Sequence, residues 1–231
     1  MSIILVRHGE TALNAARVMQ PADTPLSDLG KAQALAVARR LAHAGAGPWT
    51  DRHPPLADGS ERDGRDEGHS RRVAAILSSD LPRARLTAQA IAAQVGLPIQ
   101  ESALLQERNF GALRGRPYDT LGFDPLVMQE APPGGESAVA FMQRVQAAFA
   151  QMLRCHAGLD GELVVVTHGL LIRTLLCGPL QLPPEWLADL QLANTSLSVF
   201  QSTPPFALQL LNCTRHLDTD WAEDAGSLSG G

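Results

Sequence analysis

Ile3-Ile4-Leu5-Val6-Arg7-His8-Gly9 opens the chain, and Leu163-Val164-Val165-Val166-Thr167-His168-Gly169 repeats the device far downstream. Each is a short, unbroken, β-rich apolar run that ends in His-Gly. Such a run reads as a strand buried on both faces, the habit of parallel sheets covered by helices. In such sheets, ligands bind beyond the carboxyl ends of the strands. If the two strands are neighbours, both histidines reach one pocket. The glycines allow close backbone approach, and a helix beginning after His168 offers N–H groups and a positive dipole to an anion. One His-Gly at a strand end reads as a loop histidine in a tight turn. Two copies, one beside an arginine, shift the weight towards a site.

The segments between them keep the same rhythm. Ser27 or Asp28 can cap a helix that reaches about Ala44. Residues 73–77 read as a strand. Pro82 suits a helix start, and that helix runs to Val95 with Gly96 as its stop. Ile99 can open another short strand. A strong helix is expected over 137–156, with Val139, Met142, Val145, Phe149, Met152 and Leu153 on one face. Residues 168–176 and 184–190 read as helical, and 197–200 and 207–211 as two closing strands. This alternation predicts a three-layer α/β/α fold with a largely parallel central sheet.

Composition bounds the function. With 231 residues, 45% of them hydrophobic, the chain reads as one α/β domain able to bury its core without disulfides. Residues 45–72, rich in Gly, Pro and charge without apolar periodicity, read as an exposed insertion. Residues 216–231, acidic and then Gly/Ser-rich, read as a frayed tail. A net charge of −5 with 4% aromatics argues against a nucleic-acid partner. That acidity lies in the insertion (−1) and the tail (−4), so the remaining body is formally neutral. Lys31 is the only lysine, and arginine is the better bidentate phosphate grip. Cys155, Cys177 and Cys213 are far apart and show no metal or disulfide spacing, which points to a reducing cytoplasm. The apolar run from Ile3 is too short for a signal peptide or membrane span, so no membrane partner is expected. Nothing in the pattern specifies an oligomeric state.

Seven blocks, in order, carry a family likeness. They are Arg7-His8-Gly9-Glu10-Thr11 with Asn14; residues 23–30; Ser78-Ser79-Asp80-Leu81-Pro82-Arg83-Ala84 with Thr87-Ala88; residues 107–115, beginning Glu107-Arg108; Gly134-Gly135-Glu136-Ser137; Val166-Thr167-His168-Gly169; and Asn194-Thr195-Ser196. Together they resemble the histidine phosphatase superfamily, which includes the cofactor-dependent phosphoglycerate mutases. The resemblance implies roles for individual residues. His8 would attack phosphorus, its other ring nitrogen held by a backbone carbonyl. Arg7 and Arg83 would hold non-bridging oxygens, with Asn14, His168 and Gly169 completing the phosphate site. Glu107 would be the general acid and then the base, which calls for a raised pKa. Arg85, Arg108, Arg114 and Arg116 read as surface or supporting groups, Arg114 or Arg116 at the rim. His43, His53, His69, His156 and His216 match no block and read as structural or exposed. The implied chemistry needs no metal and no cofactor, and its partner is a small phosphorylated substrate.

The linker 118–135 is short, and no tryptophan-containing lead-in precedes Glu107. These features resemble the phosphatase branch more than the mutases. A mutase, and a catalytically silent binding module on the same fold, are the alternatives. Substrate determinants are expected in 118–135, where Phe123 is the one aromatic after Tyr118.

Overall fold

A computed structural model of the chain describes residues 1–43 and 72–217. The expected insertion, save Arg72, and the tail beyond Leu217 lie outside the described residues. The two opening runs form β1 (Ser2–Arg7) and β4 (Glu162–Thr167). They pair in parallel, in unbroken register from Ile3 opposite Leu163 to Arg7 opposite Thr167. Both His-Gly steps therefore leave the sheet side by side.

Four more strands complete the sheet: β2 (Val73–Ser78), β3 (Ile99–Glu101), β5 (Leu197–Gln201) and β6 (Leu208–Cys213). Their order is β3-β2-β4-β1-β5-β6. The first four run parallel, and β5 and β6 close one side as an antiparallel pair. Successive side chains of a strand point to opposite faces, and this splits the interior into two cores. Ile3, Leu5, Leu163 and Val165 pack on one side with α4 (Ala138–His156) and α5 (Gly169–Cys177). Ile4, Val6, Val164 and Val166 pack on the other with α2 (Asp28–Ala42) and α3 (Pro82–Val95). The expected three layers are thus present.

The helices begin and end where local chemistry dictates. Ser27 caps α2 by accepting from the Gly30 N–H. Pro82 occupies the first turn of α3, and Gly96 ends that helix at φ +71°. The buried stripe of α4 departs from expectation. Phe141, Val145, Ala148 and Met152 face the core, while Val139 and Met142 are 57% and 47% exposed. Ala148, fully buried, belongs to the same packed cluster as Phe141, Val145 and Met152, and this stripe leaves Val139 out. The 184–190 helix shrinks to a single turn, α6 (Pro184–Leu187). The tail is anchored at its start, where a ring nitrogen of His216 lies 3.2 Å from the Thr195 hydroxyl.

One backbone crossing locks the first two sequence blocks together. The Glu10 carbonyl accepts from the Ser27 N–H at 2.9 Å, and the Glu10 N–H donates to Gln33. A methyl on Gly9 would lie 2.4 Å from the Gly30 carbonyl oxygen, and one on Gly30 would lie 2.0 Å from that of Glu10. Both obstacles are main chain and cannot swing aside. Gly30→Ala is expected to lower stability to urea unfolding by about 1–3 kcal/mol, the usual cost of overpacking. An unchanged midpoint and slope would show that the crossing is looser than described.

Candidate active site

The carboxyl ends of β1 and β4 open into a cavity of about 640 Å³, mouth included. Arg7, His8, Asn14, Arg83, Glu107 and Gly169 all line it. These come from four of the seven blocks.

His8 follows β1 and is buried. Its Nδ1 lies 2.7 Å from the Gly9 carbonyl oxygen. A carbonyl only accepts, so Nδ1 carries the proton and Nε2 keeps its lone pair. Three elements hold this turn. The His8 N–H donates to Thr167, the Gly9 N–H donates to the Thr87 hydroxyl, and the Asn194 amide donates to the His8 carbonyl. The Thr195 N–H, from a residue at φ +55°, donates to the Arg7 carbonyl. Burial, then the Arg83 and Arg7 cations, push the His8 imidazolium well below its usual range, against the opposing Gly9 bond.

His168 stands beside it, ring centroids 5.1 Å apart and tilted by 58°. It is fully buried and lies 2.9 Å from the Ser79 hydroxyl through Nε2, while Nδ1 has no partner. Burial again leads in holding this ring neutral, aided by Arg83 and His8. His168 does not itself line the cavity; Gly169 and Leu170 do.

Arg7 donates to the Leu192 carbonyl and Arg83 to the Pro21 carbonyl. Burial lowers each to about 10, partly offset by Glu107, so both remain cations at neutral pH. Asn14 sits in the short helix α1 (Ala12–Ala15), where its Oδ1 accepts from the Thr11 N–H. Its amide nitrogen is left to donate.

Glu107 accepts from the N–H of Arg108 at 2.9 Å and from that of Leu170 at 3.0 Å. The first turn of α5 thus serves the protein's own carboxyl, where the sequence suggested a bound anion. Burial raises the Glu107 pKa, and it prevails over those two bonds and the pull of Arg83 and Arg144. The expected elevation is therefore present.

Arg108 is not a surface group. It is 3% exposed, and its guanidinium donates to the carbonyls of Glu130 and Glu136. Arg144, which sequence reasoning missed, fixes the acid's loop. It pairs with Glu136 at 2.7 Å and donates to the carbonyls of Leu104, Gln106 and Glu107. Burial pushes Glu136 up, but the Arg144 bonds outweigh it and leave the carboxyl below its ordinary value. One signal was available, since Arg144 interrupts the apolar stripe between Phe141 and Val145. Arg114 lines the cavity as one of the two expected candidates, with Arg17, Gln20, Tyr118 and Leu126. Burial, then Glu107, lifts the Tyr118 phenol to about 12, so it stays a neutral donor. Phe123 is 50% exposed and does not line this cavity. Among the described residues no three His, Cys, Asp or Glu side chains cluster as metal ligands, and no helix is long and apolar enough to cross a membrane.

The chain belongs to the histidine phosphatase superfamily (branch 1), whose pattern it matches over residues 3–48 and 65–214. It is 31% identical over 234 residues to the probable phosphoglycerate mutase GpmB of Yersinia enterocolitica, covering 94% of this chain and 95% of that one. Among solved structures, it resembles a mycobacterial glucosyl-3-phosphoglycerate phosphatase complexed with VO3. That match has 27% identity and a TM-score of 0.69, and covers 92% of this chain and 99% of the other. A phosphoserine phosphatase from Entamoeba histolytica shares the fold, at 23% identity and a TM-score of 0.70, covering 94% and 98%.

The two buried rings have a measurable consequence. An unfolded chain protonates histidine near 6.5, whereas His8 and His168 in the folded protein do so only at lower pH. Unfolding therefore takes up protons below about pH 6.5, and stability falls as pH drops through that range. Ring-proton NMR is expected to show no midpoint near 6.5 for either residue. An ordinary midpoint would contradict the buried, cation-flanked setting.

Proposed function

We propose that this protein is a phosphatase that releases inorganic phosphate from small phosphomonoesters through a phosphohistidine on His8. The observation that carries the reading is the state of His8. Its ring is neutral, its Nδ1–H is held by the Gly9 carbonyl, and it lines a cavity shared with two arginines and a carboxyl of raised pKa.

In the first step Nε2 of His8 bonds to phosphorus as the ester P–O bond breaks. Protonated Glu107 gives its proton to the departing oxygen, so the alcohol leaves neutral. In the second step a water oxygen bonds to phosphorus, the P–N bond breaks, and ionised Glu107 takes the water's proton. Orthophosphate leaves and both residues return to their starting states. Arg7 and Arg83 neutralise the non-bridging oxygens, with the Asn14 amide as a neutral donor. His168, with one ring nitrogen unpartnered, donates to the phosphoryl group once it sits on His8. Positioning and charge stabilisation supply most of the rate in such transfers.

A mutase would share the first step and differ in the acceptor, a substrate hydroxyl in place of water. Of the linker 118–135, only Tyr118 and Leu126 reach the cavity, while Phe123 and Val127 stand in solvent. Little of the linker is committed to covering the phosphoenzyme, which favours hydrolysis. The phosphatase name of the mycobacterial structure supports the same reading, and the mutase name of the Yersinia relative supports the other.

His8→Ala is expected to abolish both phosphate release from an aryl phosphate and the acid-labile phosphoenzyme. Retained turnover would refute the nucleophile. Glu107→Gln is expected to slow alkyl phosphates by about 100-fold or more and an activated aryl ester far less. Equal losses would remove Glu107 as the acid. Assay of 3-phosphoglycerate for isomerisation beside phosphate release decides between the two acceptors; isomerisation faster than release would favour the mutase.

A further inference from the structure

The rim of the cavity is a built structure. Residues 17–19 and 115–118 are stitched by main-chain bonds: Gly115 N–H to the Met19 carbonyl at 2.6 Å, Met19 N–H to Arg116 at 3.0 Å, and Tyr118 N–H to Arg17 at 3.0 Å. Arg114 enters this seam directly, and its side chain, half-buried, lines the cavity. Glu136, which shares the acid's loop, is engaged by Arg144. Among the described residues the Arg114 guanidinium has no carboxylate or carbonyl to hold.

The charge count makes this arginine surplus to the reacting group. Arg7 and Arg83 already match a phosphoryl dianion. Glu107 is the one acid among the described residues lining the cavity, and the proposed mechanism starts with it protonated, in the direction of its raised pKa. Arg108, though it touches the lining, spends its guanidinium on two carbonyls behind it. Arg17 also lines the cavity, but it is Arg114 that depresses Arg83, more than Arg7 does, so this further cation lies within electrostatic reach of the phosphate site. A half-buried cluster of like charges repels itself until an anion enters. One phosphoryl group leaves that repulsion partly unrelieved.

We propose that the substrate carries a second anionic group, a carboxylate or a second phosphate, and that Arg114 on the stitched rim grips it. This deepens the phosphatase reading and rests on it for the reacting end of the substrate; the rim's own ligand follows from the lining. Leu13, Val18, Phe110, Leu126 and Leu170 supply apolar surface in the same cavity, which suits a carbon backbone joining the two anions.

Non-cleavable phosphonates separate binding from turnover. Propylphosphonate, 3-phosphonopropanoate and propane-1,3-bisphosphonate are titrated calorimetrically into the full chain and its variants at fixed ionic strength. At least one two-anion ligand is expected to bind about tenfold or more tightly than propylphosphonate, the usual scale for a hydrogen bond to a charged group. Which one does so names the second group as carboxylate or phosphate. Arg114→Gln is expected to erase that ratio and Arg114→Lys to keep part of it. Arg85→Gln, at a residue that pairs with Glu101 and does not line the cavity, is expected to preserve it. No preference in the wild type, an intact ratio in Arg114→Gln, or equal loss in Arg85→Gln would each overturn the proposal. Phosphate release from the matching esters is measured separately. If no ester is hydrolysed but the Arg114-dependent ratio stands, the phosphatase reading fails and the anion site survives.

Discussion

Everything at the site depends on the in-register parallel pairing of β1 with β4. A parallel ladder keeps its strands level, so two like sequences ending in the same dipeptide deliver it to the same height. A slip of one residue would do two kinds of damage. It would send Ile3 and Leu5, or else Leu163 and Val165, into the wrong core, and it would separate His8 from His168 by the rise of a residue. Hydrophobic sorting into two cores thus sets the distance between two imidazoles. The closing strand β5 adds the last restraint, because residues 194–195 just before it hold the carbonyls of Arg7 and His8.

Burial then acts on each ionisable group according to its charge. Removal from water disfavours the charged form. It therefore lowers the pKa of His8 and His168 and raises that of Glu107. These are the directions that transfer to nitrogen and protonation of an alkoxide would call for. Arginine alone stays charged in such a setting, because its pKa is so far above neutrality that a drop to about 10 leaves it a cation. Lysine starts lower and would be nearer to losing its proton there.

The strands, the helices of the two covering layers and several residues that line the cavity were legible in the sequence. Their signals are local: unbroken apolar runs, Ser27, Pro82 and Gly96 at helix ends, and histidines at strand ends. The buried face of α4 was not legible in full. Val139 and Met142 satisfy a helical period as well as Phe141 does, and only packing against the rest of the core chooses between them. Arg144 escaped notice for a related reason. Besides Glu136, its partners are the main-chain carbonyls of Leu104, Gln106 and Glu107, and a carbonyl leaves no mark in a sequence. The exposed Phe123 and the cavity-lining Leu126 show the same limit in the linker, where no periodicity exists to read.

The sheet order also bears on how the chain assembles. β1 is made first, yet its two neighbours are β4 and β5. As the chain emerges from the ribosome, that strand has no partner until more than two thirds of the protein has been made. Contacts of such long sequence separation slow folding, because the loop must close before the pairing rewards it. Meanwhile an apolar strand with two open edges is available to other chains. The feature that levels the two histidines therefore makes the N-terminal segment the one most dependent on the rest of the chain arriving.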